Sequence, residues 1–127
     1  MLTQTMTKRL AALVIGLAGM LLVPGSASAN SWMMFAVDEH GAVGHGMSPD
    51  PQIARNLALS YCGNSKCKAV RPATQANCQA LAHSFVNGYW LGLSAANTKG
   101  EAIGAAINFC AKNAPASSCK LAYVYCQ

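Results

Sequence analysis

Cysteine and histidine are the residues of this 127-residue chain with most chemistry to offer. There are six cysteines: Cys62, Cys67, Cys78, Cys110, Cys119 and Cys126. No two are spaced Cys-x-x-Cys, the pattern of thiol redox catalysis and of many zinc sites. An even number in a short chain points instead to structural disulfides. His40 stands beside Asp38 and Glu39, with His45 further on, a cluster that would suit a metal if a second ligand pair followed at metal-site spacing. None follows, so the cluster reads as a solvated polar turn. His83 alternates with Leu81 and Phe85, as a half-buried, hydrogen-bonded core histidine does. Ser48, Ser60, Ser65, Ser84 and Ser94 lack the G-x-S-x-G elbow of an activated serine. The acidic groups are Asp38, Glu39, Asp50 and Glu101, and two of them read as helix caps. That leaves little for a paired-carboxylate hydrolase. Gly41, Gly44 and Gly46 lack the third glycine and parallel βαβ setting of a phosphate-binding loop. No catalytic residue, cofactor or metal ligand is expected.

Aromatic residues offer more. Trp32, Phe35, Tyr89 and Trp90 fall on two hairpin-like stretches, with Met33, Met34 and Met47 close by. Tyrosine and tryptophan are over-used where one end of a side chain is apolar and the other wet, and methionine at adaptable binding surfaces. Trp32, Tyr89 and Trp90 are the candidate binding surface; the plainer reading is the core of a small domain.

Residues 1–29 carry an export signature. Lys8 and Arg9 precede the apolar run Ala11–Val23; Pro24-Gly25 breaks that run, and Ala27-Ser28-Ala29 supplies a peptidase site. The run is shorter than the roughly 20 residues of a membrane helix, so no integral membrane segment is expected after cleavage. One domain over residues 30–127 follows, secreted or periplasmic. It holds Arg55, Lys66, Lys68, Arg71, Lys99, Lys112 and Lys120 against the four acidic residues, a net +3 (7 − 4). The basic residues are scattered and form neither stripe nor module, so no nucleic-acid partner is expected.

These residues need elements to hold them, and the elements come twice. At an offset of 48, Gly44 matches Gly92, Ala54 matches Ala102, Ala58 matches Ala106, Tyr61 matches Phe109 and Cys62 matches Cys110. Cys78 meets Cys126 at the same offset, and Cys67 meets Cys119 after a short insertion near Asn113–Ala116. The repeats are about 30–77 and 78–127. Each reads strand, turn, strand, helix, strand. Ser31–Val37 and Ala42–Met47 flank the turn Asp38–Gly41; Gln79–Phe85 and Tyr89–Ser94 flank Asn87-Gly88, a strong hairpin signal. Asp50 caps the first helix, Pro51 suits its first position and Gly63 its exit. Ile53, Leu57 and Tyr61, with Ala54, Ala58 and Cys62 beside them, form one apolar stripe expected to be buried. Thr98 and Glu101 make a capping-box pair for the second helix, whose expected buried face is Ala102, Ala105, Ala106, Phe109 and Cys110. Gly100 and Gly104 cost that helix about 1 kcal/mol each, which a close approach to the sheet would explain. Lys66–Arg71 and Lys120–Tyr125 are the closing strands. The expected fold is α+β: two ββαβ repeats about a pseudo-two-fold axis, about six mostly antiparallel strands and two helices, disulfide-stapled.

Six cysteines allow 15 pairings. The repeat favours Cys62–Cys67 and Cys110–Cys119, each closing the exit of a helix. That leaves Cys78–Cys126, expected near the axis and tying the halves together.

The stretch FAVDEHGAVGHG, a helix ending ALSYCG, then CKAV, and a second half GYWLGLS–helix–CKLAYVYC resemble domain-of-unknown-function family 4189, small exported bacterial domains. The resemblance runs from about Met34 to Cys126. It implies export and a duplicated α+β unit, and it carries no catalytic residue. The family's aromatic-Gly-Ala-Ile-Ala opening is replaced here by Trp32-Met33-Met34-Phe35-Ala36. Function is therefore expected to be that of a secreted or periplasmic, non-enzymatic binding module for a protein partner, of inhibitor, immunity or effector type. The alternatives are a small cell-envelope enzyme using His40, His45 or His83, and a structural envelope protein.

Overall fold

The computed structural model describes residues 30–127; the signal peptide expected over residues 1–29 lies outside them. The order is β1 (Trp32–Val37), β2 (Val43–Ser48), α1 (Pro51–Cys62), β3 (Lys68–Thr74), β4 (Cys78–Ser84), β5 (Trp90–Ala96), α2 (Lys99–Cys110), a 3-10 turn (Ala116–Ser118) and β6 (Lys120–Cys126). Two three-stranded antiparallel sheets result, ordered β2-β1-β3 and β5-β4-β6. Each half is thus ββαβ with its first strand central, and the fold is α+β.

Local chemistry sets the boundaries. The Asp50 side chain accepts from the backbone N–H groups of Gln52 and Ile53, filling donors a helix start leaves open, and Gly63 ends α1 at φ +88°. Thr98 Oγ1 caps α2, accepting from Glu101 N and donating to Glu101 Oε1. In the second hairpin Asn87 and Gly88 both take positive φ, as an Asn-Gly turn requires. The first turn is built by Asp38, whose Oδ1 accepts from His40 N and Ala42 N.

Alternation along the central strands divides the interior. Met34 and Ala36 meet Ala58 and Cys62 of α1; Ala80 and Ala82 meet Ala102, Ala106 and Cys110 of α2. Phe35, Val37, Leu81 and Leu93 form a third cluster between the two sheets. The layers run helix, sheet, sheet, helix. Edge strand β2 lies over β6, where His45 meets Tyr123 and Tyr125, and β3 lies by β5, where Val70 and Leu91 share a cleft. Gln127 ties the far end: its side chain bonds Ser31 N, Ser31 O and Ala76 O.

Three expectations change. First, α1 buries Ala54, Ala58 and Cys62 only, while Ile53 is 50% and Tyr61 69% exposed. The cause is Gly44 and Gly46: a Cβ on either would collide with the helix carbonyl oxygens of Ala58 and Ala54. The helix lies backbone against backbone on β2, and at that distance only small side chains, Ala54, Ala58 and Cys62, fit beneath it. Gly92 holds α2 in the same way against Ala106, and Phe109, expected in the buried face, is 36% exposed. Second, Gly100 and Gly104 have nothing near their missing Cβ atoms, so no close approach explains them. Third, the cysteines pair as Cys62–Cys67, Cys110–Cys119 and Cys78–Cys126, but Cys78 and Cys126 are cross-strand partners within one sheet, β4 to β6. That bridge staples the second half to itself. The halves are held by the inter-sheet cluster and the Gln127 tie.

Candidate functional site

Aligning the hairpins on Gly44 and Gly92, which pair with Ala36 and Ala82, makes every position of one half comparable with the other. Phe35 pairs with His45 where Leu81 pairs with Leu93. Val70 faces Phe35 where Tyr123 faces Leu81, and Thr74 faces Met33 where Tyr125 faces Gln79. One flank of the sandwich, β2 with β6, therefore carries His45, Gln79, Tyr123 and Tyr125. The opposite flank, β5 with β3, carries Leu93, Met33, Val70 and Thr74 in the same places.

His45 is half-buried between the sheets. Its ring centroid is 4.6 Å from that of Phe35, and 5.6 and 5.0 Å from those of Tyr123 and Tyr125, whose planes lie within 21° and 27° of its own. Its Nε2 is 3.2 Å from Oε1 of Gln79, itself buried. With the amide oxygen accepting, Nε2 carries the proton and Nδ1 is left as a lone-pair acceptor. Among the described residues Nδ1 has no hydrogen-bond partner, and no unpartnered side-chain nitrogen or oxygen is buried, so Nδ1 meets solvent. Burial lowers the imidazole pKa below its ordinary 6.5, with the Gln79 bond opposing. The ring is neutral at neutral pH.

His45 lines an open cleft of about 460 Å³ with Met47, Leu57, Tyr61, Tyr123 and Tyr125. Ile53 continues the stripe one turn along α1. No lining residue is charged. Across the molecule the counterpart of Tyr61 is Phe109, which is about half as exposed: Arg71 Cζ sits 5.6 Å and Lys112 Nζ 4.7 Å from its ring centroid, contacts worth about 0.5–1 kcal/mol each at exposed sites.

A second cleft, about 450 Å³, opens at the hairpin end and is lined by Asp38, Glu39, His40, Lys66, Lys68 and Tyr89. Here the Asp/Glu/His cluster lands. The Asp38 carboxylate is already engaged: Asn64 Nδ2 donates to it at 2.7 Å, and that bond, with those from Ala42 N and His40 N, holds its pKa below the usual value. A carboxylate so committed organises its turn and is a poor base. Burial, and then the Asp38 charge, push the Tyr89 phenol up to about 12, so it stays protonated. Its oxygen is 3.4 Å from Nδ1 of His83, whose pKa burial lowers. His40 is exposed in the turn. Among the described residues no three His, Cys, Asp or Glu side chains gather to hold a metal ion.

Trp32, Tyr89 and Trp90 are not brought together. Tyr89 packs into the inter-sheet cluster, and Trp90 packs on the α2 side with its indole N–H on Val86 O at 3.0 Å. Trp32 starts β1, at the strand end away from the hairpin turn. The cysteines, all disulfide-bonded, lie outside both clefts. Sequence reading passed over Gln79, Tyr123 and Tyr125 and placed Tyr61 in the core. The signal was there as period two: Tyr123 and Tyr125 on one face of the last strand, His45 and Met47 on one face of the second.

A family model described as "Domain of unknown function (DUF4189)" matches residues 32–126, and the chain belongs to that family. The chain matches none of the curated proteins and none of the solved structures.

Proposed function

We propose that this DUF4189 domain is an exported, non-enzymatic binding module, secreted or periplasmic, that engages a protein partner through the flank formed by β2, β6 and the outer stripe of α1. One observation carries the reading. The two flanks share a backbone plan, yet one exposes an uncharged patch of Met47, Ile53, Tyr61 and Tyr123 around His45, with Leu57 half-buried among them, while on the other two cations stand by the matching aromatic, Phe109, which is 36% exposed against 69% for Tyr61. Exposed contiguous apolar surface rimmed by polar residues marks interaction sites, and tyrosine and methionine are over-represented there. The export signature of residues 1–29 supports the compartment. No helix among the described residues is long and apolar enough to cross a membrane.

The residues also favour binding over catalysis. Asp38 is occupied by its own turn, and among the described residues His45 is paired with the amide of Gln79 and His83 with the protonated phenol of Tyr89. The test is capture from cell-envelope extract on the immobilised domain, disulfides intact. We expect a saturable partner that persists in high salt and is lost with Tyr61→Ala, while Trp90→Ala changes nothing beyond stability. A partner unaffected by Tyr61→Ala and Tyr123→Ala, or no saturable partner at all, rejects this flank as the interface.

A further inference from the structure

We infer that the cleft at the hairpin end binds a small zwitterion with an apolar side chain, an amino acid or a dipeptide free at both ends. The inference goes beyond the protein partner of the β2/β6 flank and does not rest on it; among the described residues the two clefts share none of their lining. Two edge strands and a turn build the site. Lys66, Lys68 and Val70 alternate along one wall and Tyr89 with Leu91 along the other, while Val37 of the central strand is the register partner of Lys68. The volume, about 450 Å³, falls within the roughly 300–1,000 Å³ typical of ligand pockets.

Charge selects the occupant. Lys66 and Lys68 stand against Asp38 and Glu39, a formal charge of zero (2 − 2), and Tyr89, held protonated, adds none. A net anion or a net cation meets one pair of like charges here. An uncharged apolar molecule would take water from the ammonium and carboxylate groups and return no charge. A zwitterion answers both, its carboxylate on the lysines and its ammonium on the acidic turn, with its side chain against Val37, Val70, Leu91 and the Tyr89 ring. Charge-assisted hydrogen bonds of this kind are roughly twice as strong as neutral ones.

Asn64 fixes the two charged walls relative to each other before any ligand arrives. Its Nδ2 donates to Asp38 Oδ2 at 2.7 Å, its Oδ1 accepts from Lys66 N at 2.9 Å, and the loop that carries it is closed by Cys62–Cys67. A site held in this way loses little conformational freedom on binding. The other half finishes the same place without charge. Aligning Ala36 with Ala82 and Cys67 with Cys119 puts Ser84 where Asp38 is and Ser118 where Lys66 is. Their hydroxyl oxygens lie 2.7 Å apart, closing directly the gap that Asn64 spans in the first half. Phe85 takes the place of Glu39 and Gly41 that of Tyr89, and the Phe85 ring lies against that glycine. The fold therefore forms at this place without an acidic turn, and the charged cleft is an addition to it.

The probes are leucine, dileucine, N-acetyl-dileucine and dileucine amide, titrated into the disulfide-intact domain while the signals of Val37, Val70, Tyr89 and Leu91 are followed by NMR. We expect saturable shifts confined to this cleft, with each blocked dipeptide weaker than dileucine by about tenfold, the loss of one charge-assisted contact. Lys66→Gln together with Lys68→Gln, both at exposed positions, should erase the difference between dileucine and its amide. Glu39→Gln, also at an exposed position, should erase that between dileucine and its N-acetyl form. The tighter of leucine and dileucine then assigns the occupant's length. Blocked and free dipeptides of equal affinity, shifts outside the cleft, no saturation, or end preferences that survive these substitutions overturn the inference. The Tyr61→Ala capture experiment decides the reading of the other flank separately.

Discussion

The two flanks of the sandwich are built on one plan and finished differently. On the β5/β3 side, Leu93, Met33 and Val70 are apolar, a cleft opens between Val70 and Leu91, and Arg71 and Lys112 stand by the ring of Phe109. On the β2/β6 side the same places hold His45, Gln79 and Tyr123, and Tyr61 is open. A buried polar pair is stabilising only while both members are satisfied, and apolar residues of like shape often do as well or better. The first flank shows what the scaffold needs. The second shows what it carries in addition.

What the flanks share should break hardest. Gly44→Ala or Gly46→Ala drives a Cβ into rigid helix backbone, and Gly92→Ala does the same in the other half. Overpacking of this kind costs about 3 kcal/mol or more, so each variant should unfold far below the native midpoint in urea. Gly104→Ala, facing open space, should instead gain about 1 kcal/mol. If the three docking glycines tolerate alanine, the helices are not seated on their strands by backbone contact.

The disulfides divide the halves next. Cys78–Cys126 closes a separation of 48 residues and Cys62–Cys67 one of 5. Chain entropy puts removal of the first at about 4 kcal/mol and of the second at about 2 kcal/mol. Paired Cys→Ala variants, compared by chemical denaturation, should keep that order; the reverse order would mean that strain or enthalpy outweighs loop closure.

The flanks themselves are compared by making one resemble the other. Gln79→Met alone leaves Nε2 of His45 without its partner and should destabilise by about 1–3 kcal/mol. His45→Leu together with Gln79→Met should recover that loss or exceed it, because the cleft then matches its counterpart. A double variant no more stable than the single would show that the polar pair is part of the packing.

The smallest effect is that of pH. Burial lowers the pKa of His45 and His83 in the folded protein, so the unfolded chain binds protons more readily just below pH 6.5. Stability should be level above that value and fall as the pH drops through it towards the folded-state values. His45→Leu should flatten most of the decline, His83 being the more exposed of the two. Asp38, with its pKa lowered by Asn64 and its own turn, acts only further down, below the ordinary carboxylate range. A native domain equally stable at pH 7.5 and 5.5 would contradict a desolvated His45.

Much of the fold was legible because its punctuation is local. Asp50-Pro51, Thr98 with Glu101, Asn87-Gly88 and Gly63 each fix a boundary through their own backbone chemistry. The cysteine pairs followed from where helices end. The phase of α1 did not, because side-chain size is a misleading guide when a glycine strand lies beneath the helix. Ile53, Leu57 and Tyr61 look like a core stripe, yet the space over Gly44 and Gly46 admits only alanine and the disulfide-bonded Cys62. The cleft was hidden for another reason. His45, Gln79 and Tyr123 lie on three strands in two sheets, and nothing in their spacing shows which edge strand will lie over which.

The glycine-seated helices also separate two kinds of residue. Gly44, Gly46, Gly92 and the alanines under each helix specify the architecture, while the residues around the β2/β6 cleft sit on edge strands and the outer face of α1. A lineage can rewrite positions 45, 47, 57, 61, 123 and 125 while leaving the folding instructions intact. The domain is a natural display frame with a variable face, and a library randomised at those six positions should yield folded members at a far higher rate than one randomised at 36, 44, 54, 58, 92 and 106.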